Sequence, residues 1–306
     1  MKKITIGLLV GIILVLASTY IFLPSSFKVV SAEKSGMKTV AVNRYLLEEK
    51  NWLKWWPDST PFRHNKIDFS IINKYLNNFE IRLVYKKDTL KSLLEINRQT
   101  NDSTEFVWSC EIASSKNPIL RWFQYFDAVN IKKSIDQLIS RLVLHIDSVE
   151  NIYGFKINNV KVQDSVLIST RSNFNTYPDP MQIGQIVMRL KDYIKSQNAV
   201  EKNFPMLNVY QIDSNNYIAM VAIATERLLP ASKDFAPKVV LKNGNLLEAE
   251  IKGGPYTIQK CFKEFENYRT DFHYESPAIP YQLMITDRTK EADTTNWITK
   301  FYYPVL

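Results

Sequence analysis

The chain has 306 residues, 45% hydrophobic and 12% aromatic, with a formal charge of +8 at neutral pH. That length allows two ordinary domains, and the composition is that of a folded chain, which excludes extended disorder. Two of the excess positive charges are Lys2 and Lys3, the other lysines alternate with Asp and Glu, and no helix-turn-helix or zinc-finger spacing occurs, so no nucleic-acid partner is expected.

Met1-Lys2-Lys3 precedes Ile4 to Leu23, twenty residues without a charge. As a helix this segment would span roughly 30 Å, about one hydrocarbon core. Two lysines before it and Pro24-Ser25-Ser26 after it place the N-terminus inside by the positive-inside rule. Residues 1–24 therefore read as the transmembrane anchor of a single-pass inner-membrane protein with an extracytoplasmic body. A cleaved signal peptide is the competing reading, although its apolar region is usually shorter. Such a body permits disulfides, but Cys110 and Cys261 fall in different halves and read as buried small hydrophobes. His64, His145 and His273 are isolated from other ligand types, so neither a metal nor a cofactor is expected.

Ser25 to Glu33 is a strand candidate. In Met37 to Trp56, Val40, Tyr45, Leu46, Trp52, Leu53 and Trp56 recur at helical spacing. Alternating strands follow, with Phe79, Ile81 and Leu83 on one face and Phe106, Trp108, Cys110 and Ile112 on another. Ile131 to Ile152 is a long amphipathic helix whose stripe is Ile131, Ile135, Leu138, Ile139, Leu142, Ile146 and Val149. A strand, a helix closed by Trp52-Leu53-Lys54-Trp55-Trp56-Pro57, antiparallel strands and a closing helix resemble the START-like superfamily, also called SRPBCC or polyketide-cyclase-like. The resemblance covers residues 25–152 and implies a helix-grip fold around an apolar cavity. The four tryptophans Trp52, Trp55, Trp56 and Trp108 read as core before cavity wall.

From 153 to 306 the pattern is written twice. Asn159 to Phe174 supplies a strand, Asp179 to Asn198 a helix, and Met206 to Asp213 with Tyr217 to Thr225 a hairpin. Leu246 to Ile251, the turn Gly253-Gly254-Pro255-Tyr256, a helical pattern, Ala278 to Ile285 and Trp297 to Val305 repeat that order, with a polar turn at Thr286 to Asn296. The fold class is thus α+β, with a duplicated β-α-β-β unit in the C-terminal half.

The motifs Gly253-Gly254-Pro255-Tyr256, Pro280-Tyr281-Gln282-Leu283 with Thr286-Asp287, Trp297-Ile298-Thr299 and Tyr302-Tyr303-Pro304-Val305 resemble the GyrI-like domain, the effector-binding domain of AraC-type and MerR-type regulators. The resemblance implies a small-molecule cleft between the repeats, with Tyr256, Tyr281, Gln282, Trp297 and Tyr302 as candidate ligand-binding residues. The family usually carries Glu where this chain has Gln282, and a neutral amide neither supplies a buried charge nor exchanges a proton at neutral pH. Glu226, at the end of the first hairpin, is the candidate to supply the missing acid, against the plainer reading of a solvated strand-end charge. By alternation Tyr281 and Leu283 share one face, and Gln282 and Met284 the other.

No nucleophile elbow, phosphate loop or Rossmann fingerprint is present, and no catalytic residue is assigned. The expectation is a membrane-anchored binding protein for a small apolar or aromatic ligand, without an attached DNA-binding domain. A hydrolase or cyclase-type enzyme and a purely structural module are the alternatives.

Overall fold

The computed structural model describes Gly11, Leu16 and residues 18–100 and 103–306. The chain divides into two compact units, Met1–Ser148 and Val149–Leu306.

In the first unit, strand β1 (Ser26–Ser35) is followed by helices α1 (Thr39–Leu47) and α2 (Glu49–Trp52). The single helix expected over Met37 to Trp56 is broken at Glu48, whose extended backbone (φ −86°, ψ 104°) ends α1 and starts α2. Strands β2 (Arg63–His64), β3 (Ile67–Lys74), β4 (Asn78–Tyr85), β5 (Asp88–Thr100) and β6 (Ser103–Ala113) complete an antiparallel sheet ordered β1-β6-β5-β4-β3-β2. Phe79, Ile81 and Leu83 of β4 and Phe106, Trp108, Cys110 and Ile112 of β6 are all buried, as their alternation requires. Helix α3 (Pro118–Ile146) packs on β1 and β6. It begins well before Ile131, because Asn117 accepts the backbone N–H groups of Ile119 and Leu120 and Pro118 occupies the first turn. The tryptophans fill the interior: Trp52 meets Phe79 edge-on at 5.3 Å, and Trp56 and Trp108 meet Phe69 at 5.4 and 5.9 Å.

The membrane anchor is not supported. Among the described residues no helix is long and apolar enough to cross a membrane. Much of Ile4 to Leu23 (residues 4–10, 12–15 and 17) lies outside the described residues, but its end is tied to protein. Trp122 Nε1 donates to Thr19 Oγ1 at 3.1 Å, the Tyr20 hydroxyl donates to the Lys116 carbonyl, and Arg121 Nε donates to the Pro24 carbonyl at 3.1 Å. Thr19 and Leu23 are buried. A charged and an aromatic side chain of α3 thus grip the end of a segment that a spanning helix would leave in lipid, and the single-pass, extracytoplasmic placement is withdrawn.

The second unit opens with a short helix α4 (Val149–Tyr153) and strand β7 (Asn158–Lys161). Next come β8 (Val166–Phe174), α5 (Pro180–Ser196), β9 (Met206–Asp213), β10 (Asn216–Ala224), β11 (Ala236–Val239), β12 (Asn245–Lys252), α6 (Pro255–Asp271), β13 (Tyr281–Met284) and β14 (Ile298–Val305). All eight strands form one antiparallel sheet, ordered β11-β8-β10-β9-β13-β14-β12-β7. The inner six strands read as β8-β10-β9 and its mirror β13-β14-β12, so the two β-α-β-β repeats meet at β9 and β13. This α+β arrangement is consistent with a GyrI-like fold. The expected strand from Asn159 to Phe174 is two strands, and each lead strand crosses to the other repeat: β7 pairs with β12, and β11 with β8.

Helix α5 starts at a capping box in which Asp179 and Gln182 exchange side-chain and backbone hydrogen bonds. Its stripe Ile183, Ile186, Leu190 and Ile194 is buried on the first repeat with Ile168, Ala219, Val221 and Ile223. Helix α6 buries Ile258, Cys261, Phe265 and Tyr268. Gly253 precedes it at φ +150°, a conformation that suits glycine, and Gly254 is the N-cap. The turn reading of Gly253-Gly254 is what the structure contains.

Candidate functional site

The seam between the repeats is short. Only Gln282↔Leu207 and Leu283↔Met206 pair β13 with β9, extended by the Met284 N–H donating to the Pro205 carbonyl at 3.0 Å. One residue further the strands part: Asn208 Nδ2 reaches across to the Pro280 carbonyl at 2.9 Å in place of backbone pairing. A cleft of about 280 Å³ opens there. Its sides are Leu207 and Val209 from β9, Ile258, Phe262 and Lys263 from α6, Tyr177 from the loop before α5, and Tyr281 and Gln282 from β13. Small clefts with mostly apolar walls and a few convergent polar groups are the usual form of a ligand site.

Gln282 and Met284 face the helices, and Met284 packs with the α5 cluster. Tyr281 and Leu283 face the other way, as alternation dictates. The Tyr281 ring stacks on Tyr302 at 5.2 Å, and burial pushes its hydroxyl up to about 12. Tyr302 gives its hydroxyl to Glu248, and burial together with that bond raises its pKa well above the usual phenol. Trp297 is buried, its Nε1 donating to the Glu291 carbonyl at 3.0 Å. Tyr256 stands 80% exposed on the first turn of α6, away from the cleft walls. Glu226 is exposed beside Arg227 at 4.0 Å. The structure therefore brings Tyr281 and Gln282 to the cleft, puts Tyr302 and Trp297 behind it, and leaves Tyr256 and Glu226 in solvent.

Two residues that the sequence reading passed over complete the site. Arg288, in the polar turn after β13, lays its guanidinium over Trp297 at 5.1 Å, and its Nη2 donates to Thr299 Oγ1 at 2.9 Å and Gln282 Oε1 at 3.3 Å. Among the described residues no carboxylate is recorded acting on it, and its Nε is out of solvent without a partner. Burial pulls its pKa below the usual guanidinium range, with Tyr177 opposing. Tyr177 is half-exposed, and burial raises its hydroxyl's pKa, offset in part by the nearby Arg288 charge and the Gln282 amide. The turn is held against α5 where residue 184 is glycine: a Cβ there would lie 2.3 Å from Thr289 Cγ2.

The class of protein defined by this arrangement is an α+β unit of two β-α-β-β repeats with a ligand-sized cleft at their seam. No family model and no curated protein matches the chain. Among solved structures it is similar to the C-terminal domain of EcmrR, at 13% identity over 50% of this chain and 98% of that one, with a TM-score of 0.43. It is also similar to a hydrolase from Listeria innocua (10% identity, 49% and 92% covered, TM-score 0.38). A third similar structure is SAV2435 bound to tetraphenylphosphonium (14% identity, 49% and 94% covered, TM-score 0.32). At such values the ligand and activity of this chain have to be argued from its own residues.

Proposed function

We propose that the C-terminal unit is a GyrI-like small-molecule-binding domain whose cleft takes a small aromatic or apolar ligand. The observation that carries this reading is the parting of β9 from β13 after two residue pairs, which leaves apolar walls from two strands and α6 around convergent side-chain donors. The doubled topology and the Gly-Gly-Pro-Tyr, Pro-Tyr-Gln-Leu and Tyr-Tyr-Pro-Val motifs support the family reading. Among the described residues no carboxylate lines the cleft, so a reaction that needs a carboxylate acid or base has no group for it among them. The first unit is proposed as START-like on its order of a strand, two short helices, five strands and a long helix. Tryptophan and phenylalanine rings pack its interior, and a cleft of about 460 Å³ lies on its sheet among Ile72, Ile81, Ser92 and Cys110.

A thermal-shift screen of neutral one-ring and two-ring aromatic compounds tests the cleft. Hits should raise the melting temperature and lose their effect when Gln259→Trp, an exposed α6 position at the cleft, fills it. No hits, or hits indifferent to that substitution, would remove the reading.

A further inference from the structure

We infer that the cleft selects anionic aromatic ligands, a carboxylate-bearing ring with an adjacent hydroxyl being the best fit. The inference rests on the small-molecule reading above and specifies its ligand class. Arginine stays protonated at any physiological pH, so Arg288 brings a fixed positive charge to the back of the cleft. Charges partly withdrawn from water are normally paired, and this one, of intermediate exposure, has a ring face, a hydroxyl and an amide oxygen but, among the described residues, no anion.

The surrounding hydrogen bonds point the same way. Arg288 has no acceptor atom, so Gln282 must turn its oxygen toward it and its NH2 away from it. Lys263 adds a second positive charge to the cleft wall. Asn208 donates to the Pro280 carbonyl, which fixes its amide orientation and leaves its Oδ1 buried without a partner at the mouth of the parted strands. Among the described residues, the buried side-chain polar atoms without a partner in this unit are Asn208 Oδ1, on a residue of the cleft wall, and Arg288 Nε, on the residue that donates to Gln282. A buried donor or acceptor left open incurs a desolvation penalty unless a partner completes it. A carboxylate matches the cationic side, and a hydroxyl or amine proton matches Asn208. At about 280 Å³ the space is just under the roughly 300 to 1,000 Å³ of drug-sized sites, which suits a one-ring or two-ring molecule.

The probes are salicylate, its neutral counterpart salicylamide, and benzyltrimethylammonium, titrated calorimetrically into the full-length protein at neutral pH. Salicylate is expected to bind at least about tenfold tighter than salicylamide, with the cation weakest. Arg288→Met should erase the salicylate preference while leaving salicylamide within about twofold. If Arg288→Met does not fold, Gln282→Glu, which supplies the counter-charge in place, must abolish the preference instead. Equal affinities, preference for the cation, or a preference that survives both substitutions would overturn the inference while leaving the cleft as a binding site. If none of the three probes binds and the neutral screen is also empty, the small-molecule reading falls with it.

Discussion

Gln282→Glu puts the electrostatics of the cleft to a direct test. A carboxylate at this position without a partner would cost stability. Arg288 Nη2, however, is 3.3 Å from the Gln282 oxygen that a Glu oxygen would replace. At that separation the Coulomb attraction is about 5 kcal/mol for an effective dielectric of about 20. Moving a carboxylate to this half-buried place costs several kcal/mol, so most of that attraction is offset. The balance is a net gain of about 1 kcal/mol, in the lower range of a charge-assisted hydrogen bond. For a unit of this size that is a rise of about 2 to 4 °C in melting temperature.

The pH dependence has a definite sign. Arg288 would hold the new carboxyl below its unfolded value of about 4.3, so the gain is complete above that pH and disappears as pH falls through the folded value. Gln282 itself does not titrate, and the difference between variant and wild type isolates the pair. Calorimetric melting at pH 7 and pH 3 reads both points. A lower melting temperature at pH 7, or an equal gain at pH 3, would refute the claim that Arg288 is an uncompensated cation.

Two further outcomes are expected. Gly184→Ala should lower stability by pressing a methyl against Thr289 Cγ2, and Gly184→Ala with Thr289→Ser should recover it and exceed wild type by about 0.5 to 1 kcal/mol of helix propensity; urea denaturation of both variants checks it, and an additive pair of effects would count against the close approach. Cys110 and Cys261 are buried with thiols pushed up to about 11 and about 12, so a thiol reagent should modify them only after unfolding; modification at native-state rates typical of free thiol would contradict their burial.

Much of the fold was legible because periodicity reports a face. The alternation in β4 and β6 and the α5 stripe behind Asp179 follow from local pattern alone, and the structure buries those residues. The early start of α3 was hidden because Ile119, Leu120, Trp122, Phe123, Tyr125 and Phe126 are all at least partly exposed, so no stripe marks that end. Asn117-Pro118 was the available signal. The split of Asn159 to Phe174 into β7 and β8 was beyond pattern, since it depends on which distant strand each segment pairs with. The N-terminal apolar run was read from its length, its lack of charge and its flanking residues. The bonds from Trp122, Arg121 and Tyr20 that hold its end were not visible as spacing.

For the site, the sequence by itself determined the doubled β-α-β-β order, the alternation that turns Gln282 toward the helices, and the absence of a carboxylate at that position. It could not decide the charge of the cleft. Arg288 lies in a polar turn, where a lone cation is ordinarily solvated and carries no local mark of burial. Only the return of that turn against Gly184 of α5, with Trp297 and Thr299 beside it, draws the guanidinium partly out of water and sets it against Gln282. Tyr256 and Glu226 went the other way, to solvent, for the same reason: a residue's exposure is fixed by what distant chain packs over it, and spacing along one strand or turn does not contain that information.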